Sequence, residues 1–401
     1  MRDMKIFLLA LMLAVSCCGI RAQDLAVVNA KVYTSPDSPP VDKASVLIRA
    51  GKITAVGRHL TIPPGVKTLS CDGCVVLAGF WNTHVHFMEP KWADAAHAPA
   101  EQVTRQLQEM LTHSGFTTVV DLGSNPSSTM ALRHRIEGGE VAGPHIYTAG
   151  IPLYPKDAIP FYLKDAPPSL IAMLGQPATP AEADTLVERN IAKGTDVVKL
   201  FTGSLFTPSQ VVPMRLDIVR AAAEAGHRHG QLVFAHSSNL EGTRVAMEGG
   251  VNVLAHAPEK VAGIDDAFIA QLVAHHMVMI PTLKLFSQDA TIAQIRAIVS
   301  TFHRLGGPLM FGTDTGFVAD YDMGEEYRQL YLAGLSYRDV LAMLTTSPAR
   351  QFRVSKQKGR VAPGMNGDLT ILSADPASGD PATFTQVRHT VRNGRVIYSS
   401  H

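Results

Sequence analysis

From about Val75 onward the chain repeats one pattern, a short run of β-branched or small apolar residues followed by a longer stretch with helical periodicity. The short runs lie at 117–120, 146–148, 196–200, 232–235, 252–255, 278–281 and 309–312. Helical stretches run near 100–113, 128–138, 181–193, 208–229, 240–248, 265–276 and 323–346. Counting the run that leads into His84, there are eight strands. A strand–helix alternation of this length predicts an α/β fold, and specifically a closed parallel TIM-type (β/α)8 barrel. The chain of 401 residues has room for such a barrel with insertions, and its apolar fraction of 46% suits a large buried core.

Both ends differ in texture. Short strands at 26–30, 45–48 and 53–56 are separated by Ser35-Pro36-Asp37, Ala50-Gly51-Lys52 and Pro63-Pro64-Gly65. After Arg350 the pattern returns with 368–372 and with a hairpin over 391–397 whose turn is Asn393-Gly394. Neither end can hold a core alone, so the two are expected to pack together as one small β-sandwich. The expected division is a signal peptide over 1–22, sandwich pieces over 23–78 and 351–401, and the barrel over 79–350. The leader reading rests on Arg2 and Lys5, an apolar run over 6–15 too short to span a bilayer, and Ala22 before Gln23. It predicts a secreted or periplasmic protein. The alternative is a lipoprotein anchored at Cys17 in Ala14-Val15-Ser16-Cys17. Lys+Arg 36 against Asp+Glu 35 leaves no basic stripe for nucleic acid, and no later run is apolar enough for a membrane span, so the expected partner is a small-molecule substrate. Cys71 and Cys74 are too few for a disulfide scaffold or a four-sulfur zinc site and read as two strand-flanking residues near a turn, the alternative being that they close a small loop in an oxidising compartment.

The strand ends carry the chemistry. His84 and His86 are two apart on a strand and point to one side. Lys199 ends Asp196-Val197-Val198-Lys199, His236 and His256 each close a strand and lie twenty residues apart, and Asp314 follows Phe311-Gly312-Thr313. Parallel barrels place reactive residues on that rim. Six residues of these types predict a site for divalent metal, most simply two zinc ions, and a hydrolase. A buried lysine tends toward the neutral amine, which can react with carbon dioxide to give a carbamate oxygen ligand between two metals. Metal-bound hydroxide would attack an amide or peptide-like C–N bond, with Asp314 as general base and proton shuttle. The same attack would suit a cyclic amide or a lactone. A mononuclear enzyme with unmodified Lys199 and a non-catalytic binding barrel are the alternatives.

These segments resemble the amidohydrolase superfamily, in its imidazolonepropionase-like and Xaa-Pro or Xaa-basic dipeptidase-like branch. The matching residues include Gly79-Phe80-Trp81-Asn82-Thr83-His84-Val85-His86, Val198-Lys199-Leu200-Phe201, Ala235-His236, Ala255-His256, Gly312-Thr313-Asp314 and Thr346-Ser347-Pro348-Ala349-Arg350. The resemblance implies one metal held by His84, His86, Lys199 and Asp314 and another by Lys199, His236 and His256, with Lys199 carbamylated. The chain departs from it at Ala235-His236-Ser237-Ser238-Asn239, where relatives often carry Ala-His-Ala-His-Gly, and at Ala255-His256, where Glu-His is usual. Substrate contacts are therefore expected from Ser237 and Asn239. Tyr154 and Tyr162 join them from the long Pro- and aromatic-rich segment 151–180, which reads as a flap over the site. His145 and His97 are expected near the rim, while His227, His229, His275 and His276 read as solvated helix ends.

Overall fold

The computed structural model describes residues 23–166 and 171–400; the expected leader over 1–22, with Cys17, lies outside them. The chain opens with five strands, β1 Leu25–Val32, β2 Val41–Arg49, β3 Lys52–Gly57, β4 Lys67–Ser70 and β5 Val75–Ala78. It closes with β15 Leu369–Leu372, β16 Val387–Arg392 and β17 Arg395–Ser399. Both ends share a single eight-stranded sheet in the order β17-β16-β15-β5-β1-β2-β3, with β4 paired to β1. The seam is the antiparallel pair of β5 and β15, in register from Leu369↔Ala78 to Leu372↔Val75. This sheet has its own apolar cluster, including Val27, Val46, Ile48, Ile53, Val76, Leu369, Ile371 and Val391. The β16–β17 hairpin turns at Asn393 and Gly394, both at positive φ (49° and 77°), as a two-residue turn of matching twist requires.

Between these ends lie β6 Phe80–Val85, β7 Phe116–Asp121, β8 His145–Thr148, β9 Val197–Phe201, the short hairpin β10 Gly203–Leu205 and β11 Val211–Pro213, β12 Leu232–His236, β13 Val253–Ala255 and β14 Val278–Ile280. They form two parallel sheets, β6-β7-β8 and β14-β13-β12-β9, plus the hairpin. Segment 309–312, expected as the eighth strand, makes only isolated contacts. Leu309 bridges Met279, Thr315 bridges Val85, and Thr83 donates to the Phe311 carbonyl at 2.8 Å. The other gap is spanned by a bridge between Leu153 and Leu200. Alternation along the strands sorts the side chains. Val198, Leu200, Val233 and Ala235 belong to the large cluster with the helices, whereas Val197, Phe234, Val253, Val278 and Met310 form a separate inner cluster. Lys199 is two residues past Val197, and His236 two past Phe234, so each shares that inner face, one step further toward the strand end.

Two helices differ from expectation. The helix anticipated over 208–229 begins only at Leu216, because Pro208 and Pro213 lack the N–H groups a helix interior needs and their segment forms the hairpin instead. The stretch 323–346 is broken at Gly334 (φ 87°) into Gly324–Leu332 and Tyr337–Leu344. The second piece starts on a capping box of Ser336 and Asp339. A further helix, Ile292–Arg304, fills the gap between 278–281 and 309–312. Cys71 and Cys74 flank β4 and β5 and close the small loop between them. The Asp72-Gly73 turn, with Gly73 at φ 76°, brings their Cα atoms to 5.3 Å and the two are joined by a disulfide. Among the described residues, no helix is long and apolar enough to cross a membrane.

Candidate metal centre

Asp314 is the hub of the site. Its Oδ1 lies 3.2 Å from His84 Nε2 and 2.9 Å from His86 Nε2, and its Oδ2 is 3.6 Å from His256 Nε2. The Asp314 backbone adopts φ 58°, a left-handed conformation costly for a residue with a Cβ, and its N–H donates to the His84 carbonyl at 2.9 Å. Two residues earlier, Gly312 passes so close to β6 that a Cβ there would meet His84 Cβ at 2.8 Å. The Gly-Thr-Asp order thus has a packing reason: glycine lets the segment approach the His84 strand, and the carboxylate then turns over it.

The other side chains are held from behind. His86 Nδ1 donates to the Gly123 carbonyl at 2.8 Å, which fixes the ring with Nε2 turned toward Asp314. Asp121, at the end of β7, accepts from Gly123 N–H, Ser124 Oγ and Thr148 Oγ1, and so braces that loop. Lys199 is buried, and its Nζ donates to the Ala255 carbonyl at 2.9 Å. His236 Nε2 pairs with Ser238 Oγ at 2.9 Å and lies 3.7 Å from Glu259 Oε1. Its ring stacks on Phe201 at 4.7 Å and meets His256 edge-on at 5.1 Å.

Burial governs the charges. It pushes His84 and His256 well below the usual imidazole range despite the Asp314 carboxylate nearby. For His86 the same burial is outweighed by the hydrogen bond and charge of Asp314, so the ring is shifted upward. Asp314 is held well below the ordinary carboxylate range, because the imidazoles outweigh the cost of its burial. Lys199 is lowered by desolvation to about 7, against the opposing pull of Asp314.

This donor set fits a divalent cation. Ligand atoms of His84, His256 and Asp314 all lie within 4.8 Å of one another. His84 Nδ1 and His256 Nδ1 are buried without hydrogen-bond partners, an arrangement that is costly unless something else compensates. An ammonium at Lys199 would repel a cation, and burial moves it toward the neutral amine.

All six predicted ligands face one cavity of ≈ 660 Å³ at the C-terminal ends of the parallel strands. Tyr154 and Tyr162 line it too. Parts of 151–166 and 171–174 line it, with Tyr154 N–H donating to the Gly175 carbonyl at 2.7 Å and Tyr162 packed edge-on against Phe317 at 5.3 Å; Pro167 and Pro168 fall outside the described residues.

Three expected substrate contacts stand elsewhere. His145 is the first residue of β8, at the opposite end of the strand, and its Nδ1 is 2.7 Å from Glu137. The Ser237 hydroxyl is buried and accepts from Thr243 Oγ1 at 3.0 Å. Asn239 caps the helix Leu240–Glu248 by accepting from Gly242 N–H at 2.8 Å. His97 is exposed and paired with Asp94. The bracing roles of Asp121 and Ser238 were missed. Asp121 ends its strand as the six residues do, and Ser238 follows His236 by two; both signals were present in the sequence.

The amidohydrolase family pattern matches residues 75–397. The imidazolonepropionase of Kosmotoga olearia is 22% identical over 94% of this chain and 98% of its own length. The dihydroorotase of Clostridium acetobutylicum is 21% identical over 89% and 95%. A Xaa-Pro dipeptidase solved with methionine bound in its active site superposes with a TM-score of 0.79 at 19% identity, over 94% of this chain and all of that one. That match covers most of the chain, and on it this protein belongs to the amidohydrolase family of metal-dependent hydrolases.

Proposed function

We propose that this protein hydrolyses an amide or peptide-like C–N bond at a binuclear centre held by His84, His86, Lys199, His236, His256 and Asp314. The observation that carries the reading is their convergence on one cavity around the Asp314 carboxylate. In this reading the two parallel sheets, joined by the bridges at Leu153, Leu309 and Thr315, are one closed barrel spanning 79–350, with the terminal sheet folded against it as a sandwich. The separate inner cluster from β7, β9, β12, β13 and β14 supports that closure.

Divalent metal bound here supplies water activated at neutral pH and polarises the scissile carbonyl. The protein's own groups do the rest. The neutral Lys199 amine adds to carbon dioxide, forming an N–C bond and releasing a proton, and becomes an anionic oxygen donor. Asp314, ionised and close to three imidazoles, takes the proton from the attacking water and delivers it to the leaving nitrogen. The products are a carboxylate and an amine. His86, fixed by Gly123, and His236, fixed by Ser238, keep their rings in place as this happens. Work in an oxidising compartment, secreted or periplasmic, is supported by the Cys71–Cys74 disulfide and the leader-like pattern of the first residues.

The test is metal analysis of protein produced with zinc and bicarbonate, with a hydrolysis screen over dipeptides, N-acyl amino acids, cyclic amides and lactones. The expected result is about two ions per chain and cleavage of an open amide. Lys199→Ala should lower both metal content and turnover, with partial rescue by short carboxylic acids standing in for the carbamate. Folded, active protein without tightly held metal would overturn the reading, as would full activity in Lys199→Ala.

A further inference from the structure

The large apolar side chains that the protein leaves in water are not scattered. Among the described residues seven are exposed, and five of them, Met88, Phe161, Tyr162, Met173 and Phe317, surround the cavity. They come from three separate parts of the chain, so local sequence does not explain the clustering. A contiguous exposed apolar patch marks a binding surface far more often than single apolar residues do. Below this ring, Tyr154 stacks on Phe201 at 4.3 Å, and Phe201 on His236 at 4.7 Å, which carries an aromatic wall down to the predicted ligands. Leu163, Leu174, Leu205 and Phe286 complete the wall.

The polar groups of the cavity are mostly committed. Glu89 accepts from Tyr321 and lies 3.3 Å from Lys91, and Ser124 donates to Asp121 and accepts from Phe87 N–H. The charges left for a ligand are few: Glu259, Lys260 and Asp289. Glu259 Oε1 is buried without a hydrogen-bond partner beside His236, and Lys260 donates its backbone N–H to the Ser238 carbonyl. A short dipeptide would occupy the floor and leave the aromatic wall and the ring wet.

We infer that the substrate is an amide bearing a long alkyl or aryl group, which runs from the reacting carbonyl along the aromatic wall and out between the five exposed apolar residues. The inference rests on the amide-hydrolase reading for its reacting group, and on the cavity alone for its apolar part. The ≈ 660 Å³ of space is in the range that encloses most of a drug-sized ligand. Each methylene buried there should tighten binding by about fourfold.

Two measurements test it. With the zinc-loaded protein, kcat/KM is compared along N-acylglycines from acetyl to decanoyl and along the mirrored N-alkylacetamides. One of the two series should climb by roughly fifteenfold for each added pair of methylenes until the ring is passed. With metal-free protein, calorimetry should show the Kd of straight-chain carboxylates falling with length on a similar slope. Met173→Ser combined with Phe317→Ser, both exposed positions, should flatten the slope for the longest chains. Equal handling of short and long members in both measurements overturns the inference and leaves the hydrolase reading standing. No cleavage at any length, with the binding slope intact, would sink the hydrolase reading alone. A slope unchanged in the double variant removes the exposed ring from the path.

Discussion

The floor and the mouth of the cavity are built on different terms. On the floor four of the six site residues are pinned by a second group: His86 by the Gly123 carbonyl, His236 by Ser238, Lys199 by the Ala255 carbonyl, and Asp314 by its own left-handed backbone and the His84 carbonyl. These groups sit at strand ends, where the backbone ladder leaves little freedom. At the mouth, Phe161, Tyr162 and Phe317 touch edge to face at 5.3–5.5 Å and remain 36–42% exposed. They stand on connections rather than strands, and nothing behind them dictates one residue type. Changes to the floor should therefore alter turnover, whereas changes to the mouth should alter which molecules are turned over.

The sharpest break in that comparison is expected at Asp314. Asp314→Asn keeps the shape and one oxygen donor but cannot accept a proton. Turnover should fall by about 10²-fold or more, with metal content largely retained. KM should change little, since the amide's apolar part is read elsewhere. Unchanged kcat would move the proton transfer to another group, and Glu259, buried 3.7 Å from His236, is the neighbour to examine next.

The floor was legible in the sequence because strand ends announce themselves. Val197, Val198 and Lys199, or Phe234, Ala235 and His236, pair an apolar run with one ionisable residue, and alternation decides which face it takes. The eighth strand was less legible in form, since Gly307, Pro308 and Gly312 give the segment close approaches instead of a continuous ladder. Pro208 and Pro213 were present in the stretch read as helix, yet the apolar periodicity beyond them outweighed the break. The Cys71–Cys74 link depended on a left-handed Gly73, which spacing alone does not reveal. His145 shows a further limit. Its strand was legible, but it was expected near the rim, whereas it stands at the strand's first residue. The mouth was half visible: an unusual run of prolines and aromatics gave Tyr154 and Tyr162, while Met88 and Phe317 came from distant connections that only folding brings alongside.

Tyr162 offers the cleanest measure of the mouth. Desolvation pushes its phenol well above the ordinary range, and its part-exposed ring packs edge-on against Phe317. Tyr162→Ala should raise KM for apolar substrates by roughly tenfold, equivalent to about 1.4 kcal/mol, with zinc content and the kcat of small amides close to the parent. Tyr154→Ala is a harsher change, since that ring is buried against Phe201 and its loss also opens the core. An equal fall of kcat on every substrate in Tyr162→Ala would show that mouth and floor are not separable.

The smallest effect is expected at Asn239, which lies between the two regions in sequence and belongs to neither in space. Its departure from the family pattern beside His236 suggested a substrate contact, yet its side chain closes the first turn of Leu240–Glu248 by accepting from Gly242 N–H. Removing an N-cap of this kind costs about 1 kcal/mol. In a chain of this size that is a fall in Tm of about 2 °C or less. Asn239→Asp or Asn239→Ser should restore the cap, since each presents an oxygen to the same N–H. Asn239→Ala, Asn239→Asp and Asn239→Ser should all share the parent's KM and its preference among acyl lengths, because the side chain caps the helix and does not line the cavity. A shift in substrate preference in Asn239→Ala that Asn239→Ser does not repair would return this residue to the mouth. The line between pinned floor and adaptable rim would then run through the β12 loop itself.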